Sequence, residues 1–201
     1  MGGFSAVATT SRRTETKTAT RILDVAERLV QTRGFNGFSY ADIAAELHIT
    51  KASLHYHFAS KAELGEALIL RYAARFATAL ARIDSEILDT GAKLDAYVDV
   101  YADVLQRKRM CLCGILAAEY PTLPRPMRGA VTRFFDDNEA WLTTVLERGR
   151  ADGSLTFDKP PGEAANMLVS GLEGAMLVAR PYGDVGRFRS TARWLLASLS
   201  S

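Results

Sequence analysis

Ser39, Thr50 and Ser60 each stand just ahead of a stretch with helical periodicity, and their close succession leaves room for only one or two helical turns in each interval. Ser39-Tyr40-Ala41-Asp42 and Ser60-Lys61-Ala62-Glu63 have the hydroxyl-x-x-acid spacing of a capping box, in which the two side chains satisfy backbone N–H groups that a helix start leaves free. The spacing predicts a short helix with Ile43, Ala44 and Leu47 inward, a break at His48-Ile49, a second short helix from the Thr50 cap to about His57, and a long amphipathic helix from Ser60 toward Leu88. Two such short helices bury too little apolar surface to stand alone. They need a third behind them, and Ile22, Leu23, Ala26, Leu29 and Val30 lie on one face of a helix that opens near Thr16 and stops at Gly34.

The rest of the chain keeps the helical period. Candidate helices are Lys93 to Arg109, Cys111 to Glu119, Met127 to Arg150, Glu163 to Ala179 and Gly186 to Leu199, separated by Pro121, Pro124, Pro126, Gly153, Pro160, Pro161 and Pro181. With no strand alternation and no internal repeat, the fold class is all-α, with about nine helices. Residues 1–15 read as a flexible basic arm carrying Arg12 and Arg13, 16–62 as a three-helix helix-turn-helix domain, and 63–201 as a larger helical domain. Hydrophobic residues at 48% supply its core. No apolar run approaches the roughly 20 residues of a membrane span, and Met1 to Thr20 lacks a signal peptide's apolar block, so a cytoplasmic protein with no membrane partner is expected.

The three-helix arrangement leaves the second short helix free to enter a DNA major groove. On it Leu54 and Phe58 point inward, leaving Lys51, Ala52, Ser53, His55, Tyr56 and His57 outward or at the edge. Lys51 and Lys61 can neutralise phosphates, the hydroxyl and imidazole groups can bond phosphates or base edges, and small Ala52 permits close approach. Ser39, Tyr40 and Thr50, at the helix starts, complete the candidate DNA-contacting set. Charge agrees in sign: the segment up to Lys61 carries +3 and the remainder −1, within a formal total of +2.

The run Gly34-Phe35, Phe38-Ser39, Ile43-Ala44, Leu47-His48-Ile49, Ser53-Leu54-His55-Tyr56-His57-Phe58 and Ser60-Lys61-x-x-Leu64 resembles the DNA-binding domain of TetR-type transcriptional regulators, over about Thr16 to Leu70. Two positions depart from the family pattern. His48 stands where a turn glycine is usual, and histidine tolerates the left-handed conformation better than most residues; His55 stands where tyrosine is frequent, so base preference is not inherited. The resemblance implies a homodimer on double-stranded operator DNA, more often a repressor, released when a small-molecule effector enters the C-terminal domain. It implies no cofactor and no catalytic role.

Candidate effector walls are Tyr97, Tyr101, Phe134, Phe135 and Trp141, with Tyr120 and Cys111 beside them, although a filled core has the same composition. Gly171, Gly174 and Ala175 place small residues on a helix where another backbone can approach, and with Trp194, Leu195 and Leu199 they resemble the family's dimer bundle. Cys111 and Cys113 diverge by about 200° around a helix, and with no nearby histidine a metal site is not expected. A thiol enzyme lacks a partner base, since all three histidines precede Phe58. Met110-Cys111-Leu112-Cys113-Gly114 is placed like the sensing thiol of some TetR-type regulators, which makes a thiol-based electrophile or redox sensor the alternative reading. On it Arg107, Lys108 and Arg109 are expected to lower a thiol pKa, with Cys111 the reactive one, while plain packing is the competing role for both cysteines.

Overall fold

The computed structural model describes the backbone of residues 4–199 and the side chains of residues 17–199, and every regular element among them is helical. In order they are α1 (Phe4–Arg33), α2 (Tyr40–Leu47), α3 (Lys51–His57), α4 (Lys61–Glu86), α5 (Thr90–Gln106), α6 (Leu112–Ala118), α7 (Arg125–Ala151), α8 (Pro161–Ala179) and α9 (Val185–Ala197), with 3-10 turns at Tyr120–Thr122 and Arg180–Tyr182.

The starts of α2, α3 and α4 form as their side chains dictate. Thr50 Oγ1 accepts the Ser53 N–H at 3.1 Å, and Ser60 Oγ accepts that of Glu63, also at 3.1 Å. At α2 the carboxylate half of the box is made: Asp42 Oδ2 accepts both the N–H and the hydroxyl of Ser39 at 2.7 Å. His48 closes α2 in the left-handed region, at φ 53° and ψ 45°, as its substitution for a turn glycine requires. Pro161 opens α8, where its missing N–H costs nothing.

Most helix ends lie within about three residues of the sequence reading, α5 for example running from Thr90 to Gln106 where Lys93 to Arg109 was expected, and two differences matter for the site. The helix expected to open near Thr16 begins at Phe4, so the segment taken as a flexible arm is α-helical from Phe4 onward; the side chains of Arg12 and Arg13 lie outside those described. Cys111 is the residue ahead of α6 rather than part of it.

Helices α1 to α3 close around Ile22, Leu29, Ile43 and Leu54, each at most 2% exposed. Helix α4 then runs out of this unit into the larger one, where Tyr72, Phe76 and Leu80 enter the core between α5 and α7. Helix α8 lies between α7 and α9.

The two units are stitched together at several points. Arg71 pairs with Asp24 and Glu27, both at 2.8 Å, and Arg75 pairs with Glu27 as well. The Met110 N–H reaches the Gln31 carbonyl at 3.2 Å, the Phe35 N–H donates to Glu119 Oε2 at 2.6 Å, and Arg180 donates to the Thr32 carbonyl at 2.6 Å.

Candidate nucleic-acid interface and the chamber behind it

Helix α3 is held by its inner side and bare on its outer side. Leu54 and Phe58 are buried, whereas Thr50, Lys51, Ala52, His55 and Tyr56 are exposed, Tyr56 by 72%, and Ser53 and His57 are half-buried. His55 lies against the Tyr40 ring at 4.8 Å between centroids, and its Nδ1 is 3.2 Å from the Ala59 carbonyl. A depression of about 380 Å³ opens between the start of α2 and the outer face of α3, lined by Phe38, Ser39, Tyr40, Ala41, Lys51, His55 and Lys61. It combines a cation, an imidazole and the N-terminal end of α2, the donors that suit a phosphate.

Two of the residues expected to face DNA line this depression and also brace the frame behind it. Tyr40 is 8% exposed and its hydroxyl donates to the Phe58 carbonyl at 2.9 Å, so it ties α2 to the end of α3. Burial pushes its pKa up to about 12. Lys61 lines the same depression and also reaches back to the α1–α2 corner. Its ammonium donates to the carbonyls of Phe35 and Phe38 and lies 4.6 and 4.3 Å from the centroids of their rings. The lysine therefore satisfies two carbonyls that the α1–α2 corner leaves without helical partners, and the same desolvation lowers its pKa. Both side chains thus brace the frame from positions on the wall of the depression.

In the larger unit the aromatic candidates do converge. Tyr97, Tyr101 and Phe134 are buried around Phe76, whose ring centroid lies 6.1, 5.8 and 5.2 Å from theirs. The hydroxyls of Tyr97 and Tyr101 meet at 3.1 Å, Tyr97 donates to Asn138 Oδ1 at 3.2 Å, and Asn138 donates to the Phe134 carbonyl at 2.7 Å. Trp141 stacks on Tyr97 at 5.5 Å and donates to Asp84, which also pairs with Lys93 at 2.8 Å. A cavity of about 280 Å³ opens here, lined by Phe76, Leu80, Asp84, Phe134, Asn138 and Trp141 among others. Phe135 is half-buried at the edge of the group, 5.4 Å from Phe134, while Tyr120 is elsewhere, exposed beside Arg128.

The cysteines depart from expectation. Both are fully buried, Cys111 at 1% exposed and Cys113 at 0%. Burial, and then the charge of Glu173, pushes each thiol well above its ordinary range, so the neighbouring basic residues do not produce a resting thiolate. Glu173 itself was not singled out from the sequence. It is the only charged residue between Ala164 and Ala179, and that isolation in an apolar helix was the available signal. Both carboxylate oxygens are buried and meet no partner at full hydrogen-bond geometry, although the Cys111 thiol lies close enough to favour the ionised form; burial outweighs it and pushes the carboxyl pKa up to about 7.

The small-residue stripe on α8 divides. Gly171 faces inward within the chain: a Cβ there would stand 2.7 Å from Leu195 Cδ1, so this pair is an intramolecular α8–α9 contact, and Ala175 is buried. Gly174 faces open space, and Leu177, Val178 and Trp194 are 57, 60 and 78% exposed. Among the described residues no group of His, Cys, Asp and Glu is arranged to hold a metal ion, and no helix is long and apolar enough to cross a membrane.

Comparison with known proteins agrees with this geometry. Residues 22–68 match the family described as bacterial regulatory proteins, tetR family, and residues 91–195 match the tetracyclin repressor-like C-terminal domain. The HTH-type transcriptional repressor NemR of Escherichia coli (strain K12) is 29% identical over 85% of this chain and 87% of its own length. The solved structure of a TetR-family transcriptional regulator from Agrobacterium tumefaciens superposes with a TM-score of 0.90 at 33% identity, covering 93% of this chain and all of that one. E. coli NemR, solved in a form described as reduced, superposes with a TM-score of 0.80 at 26% identity, covering 92% of this chain and 98% of that one.

Proposed function

The chain belongs to the TetR family of bacterial regulatory proteins, and from that premise we propose that it binds a palindromic operator as a homodimer and releases it when a small effector occupies the larger helical unit. The observation that carries the DNA-binding reading is α3 itself, exposed along Lys51, Ala52, His55 and Tyr56 on a frame stapled by Tyr40 and Lys61. Residues 16–62 act as the DNA-binding unit, 63–201 as the effector and dimerisation unit, and the protein works in the cytoplasm, where its operator is. The exposed apolar strip on α8 and α9 supplies the dimer face.

Release follows from the stitching between units. An effector that spreads α4 from α7 at the aromatic chamber moves the Arg71 and Arg75 anchors on α1, and with them the α3 helices of the two protomers. A ligand shifts the equilibrium only by its preference for the non-binding geometry, so effector and operator weaken each other reciprocally.

A second reading is supported by the buried thiols. A relative described in a reduced form, and a carboxylate placed against Cys111, both favour a thiol trigger in place of, or beside, a reversibly bound effector.

Gel-shift titration on operator fragments tests the main reading. Lys51→Ala is expected to weaken binding equally on all sequences and reduce the salt slope by about 1, whereas Tyr56→Ala costs on the order of 1–3 kcal/mol. Normal operator binding by both folded variants would overturn the placement of α3.

A further inference from the structure

Glu173 and the residue before α6 come together where the two units meet. A Cβ at Gly114 would stand 2.1 Å from Glu173 Oε2, so the absence of a side chain on the first turn of α6 is what lets the carboxylate lie there. Its polar neighbours are the thiols of Cys111 and Cys113 and, from α4 and α5, the hydroxyls of Tyr72, Tyr97 and Tyr101; Tyr72 donates to Cys111 Sγ at 3.7 Å. Among the described residues no Lys, Arg or His is paired with Glu173, and both of its oxygens are buried without a full hydrogen bond. A buried acceptor in that state is costly as packing and well suited to taking a proton.

We propose that Cys111 and Glu173 form a thiol–carboxylate pair that adds to a small uncharged α,β-unsaturated aldehyde or ketone, with Glu173 accepting the thiol proton as sulfur bonds to carbon. This rests on the thiol reading above and names its second residue and its reagent class. A sulfur lone pair forms the bond to the β-carbon while the S–H proton passes to the carboxylate, and the alkene electron pair moves onto the carbonyl as an enolate. The enolate α-carbon then takes the proton from Glu173. The net change is S–H added across C=C, and no oxidant or reductant is needed.

The site selects the reagent. A thiol pushed upward by burial holds almost no thiolate, so reaction requires the base in step with bond formation. A negative carboxylate at the sulfur disfavours anionic reagents, and the close walls disfavour large ones. Tyr72, which donates to Cys111, also lines a cleft of about 440 Å³ between the units, with Glu27, Gln31, Arg75, Val104 and Arg109 among others, and this is the side from which a reagent would come. The consequence is mechanical. Cys111 precedes α6, whose flanking Met110 and Glu119 grip Gln31, Phe35 and Asn36 of the DNA-binding unit, so added carbon at this sulfur displaces those grips.

The test uses the full-length protein and methyl vinyl ketone, with adducts located by peptide mass spectrometry after short exposures. The expected result is one adduct at Cys111, slowed at least tenfold by Glu173→Gln at pH 7.5 and partly restored in Glu173→Asp. In the unsubstituted protein the rate should rise with pH and level off above about 7, as the carboxyl finishes ionising. The facing groups Tyr72, Tyr97, Tyr101 and Cys113 are all held upward by burial and stay neutral through that window. Equal rates in the Gln variant, no Cys111 adduct in folded protein, or a rate climbing steadily to pH 9 would overturn the pair. If the Gln variant does not fold, the pH profile decides alone. Glu173-dependent labelling that leaves operator affinity unchanged would instead remove the thiol trigger and leave the reactive pair standing.

Discussion

Single side chains carry the sharpest consequences of this structure. Lys61 holds two backbone carbonyls, so Lys61→Met is expected to lower stability by about 1–3 kcal/mol while the salt slope of operator binding stays unchanged. A denaturant titration beside a salt series separates that outcome from loss of a phosphate contact. Glu173 ties stability to pH. Its folded-state pKa, about 7, is raised above the unfolded value, so it penalises the folded state once ionised: stability is full below pH 4.5 and falls as pH rises through 7. Glu173→Gln should therefore gain on the order of 2–4 kcal/mol over the unsubstituted chain at pH 8 and almost nothing at pH 4, read as thermal midpoints across that range. Neither role was legible in the sequence. A lysine after a capping serine has the same letters whether it reaches out to phosphate or back to Phe35, because periodicity specifies a face of a helix and not the atom opposite it. Glu173 was readable only as an oddity, one acid in an apolar helix.

At the level of elements, caps and turns translated well because their physics is local. Thr50 and Ser60 sit where their hydroxyls predict, and His48 adopts the left-handed turn that its position demands. That conformation is costly with a Cβ, so His48→Gly should raise stability by about 1 kcal/mol without moving α3, a change visible in a urea midpoint at constant slope. The start of α1 was not legible for the complementary reason. Between Thr9 and Lys17 the sequence is hydroxylated and charged throughout, which leaves no sustained apolar period to mark a helix there. The aromatic chamber was half legible: composition nominated Tyr97, Tyr101, Phe134 and Trp141, but only packing shows that Phe134 and Trp141 line the cavity, that Tyr97 and Tyr101 are core residues packed against Phe76 and that Tyr120 lies elsewhere.

For the whole molecule the question is how two copies meet, and α8 offers an internal control. Gly171 and Gly174 are three residues apart on one helix, yet the space at the first is filled by Leu195 of its own chain and the second opens outward on a helix that also exposes Leu177 and Val178. Leucine at the two positions should therefore fail in different ways. Gly171→Leu collides with Leu195 and must part α8 from α9, so it is expected to cost roughly 1–3 kcal/mol of the protomer's own stability. Gly174→Leu meets nothing inside the chain and should leave a folded protomer with its helix content intact, while holding the partner's backbone away. Sedimentation at several concentrations should then show dimer for the unsubstituted chain and monomer for Gly174→Leu, with operator binding reduced to weak half-site occupancy, because one α3 reaches only one major groove. An unchanged dimer in folded Gly174→Leu protein would move the interface off this strip. The two glycines together thus separate packing within a protomer from packing between protomers, a distinction that their sequence spacing alone, small residues recurring on one helix, does not contain.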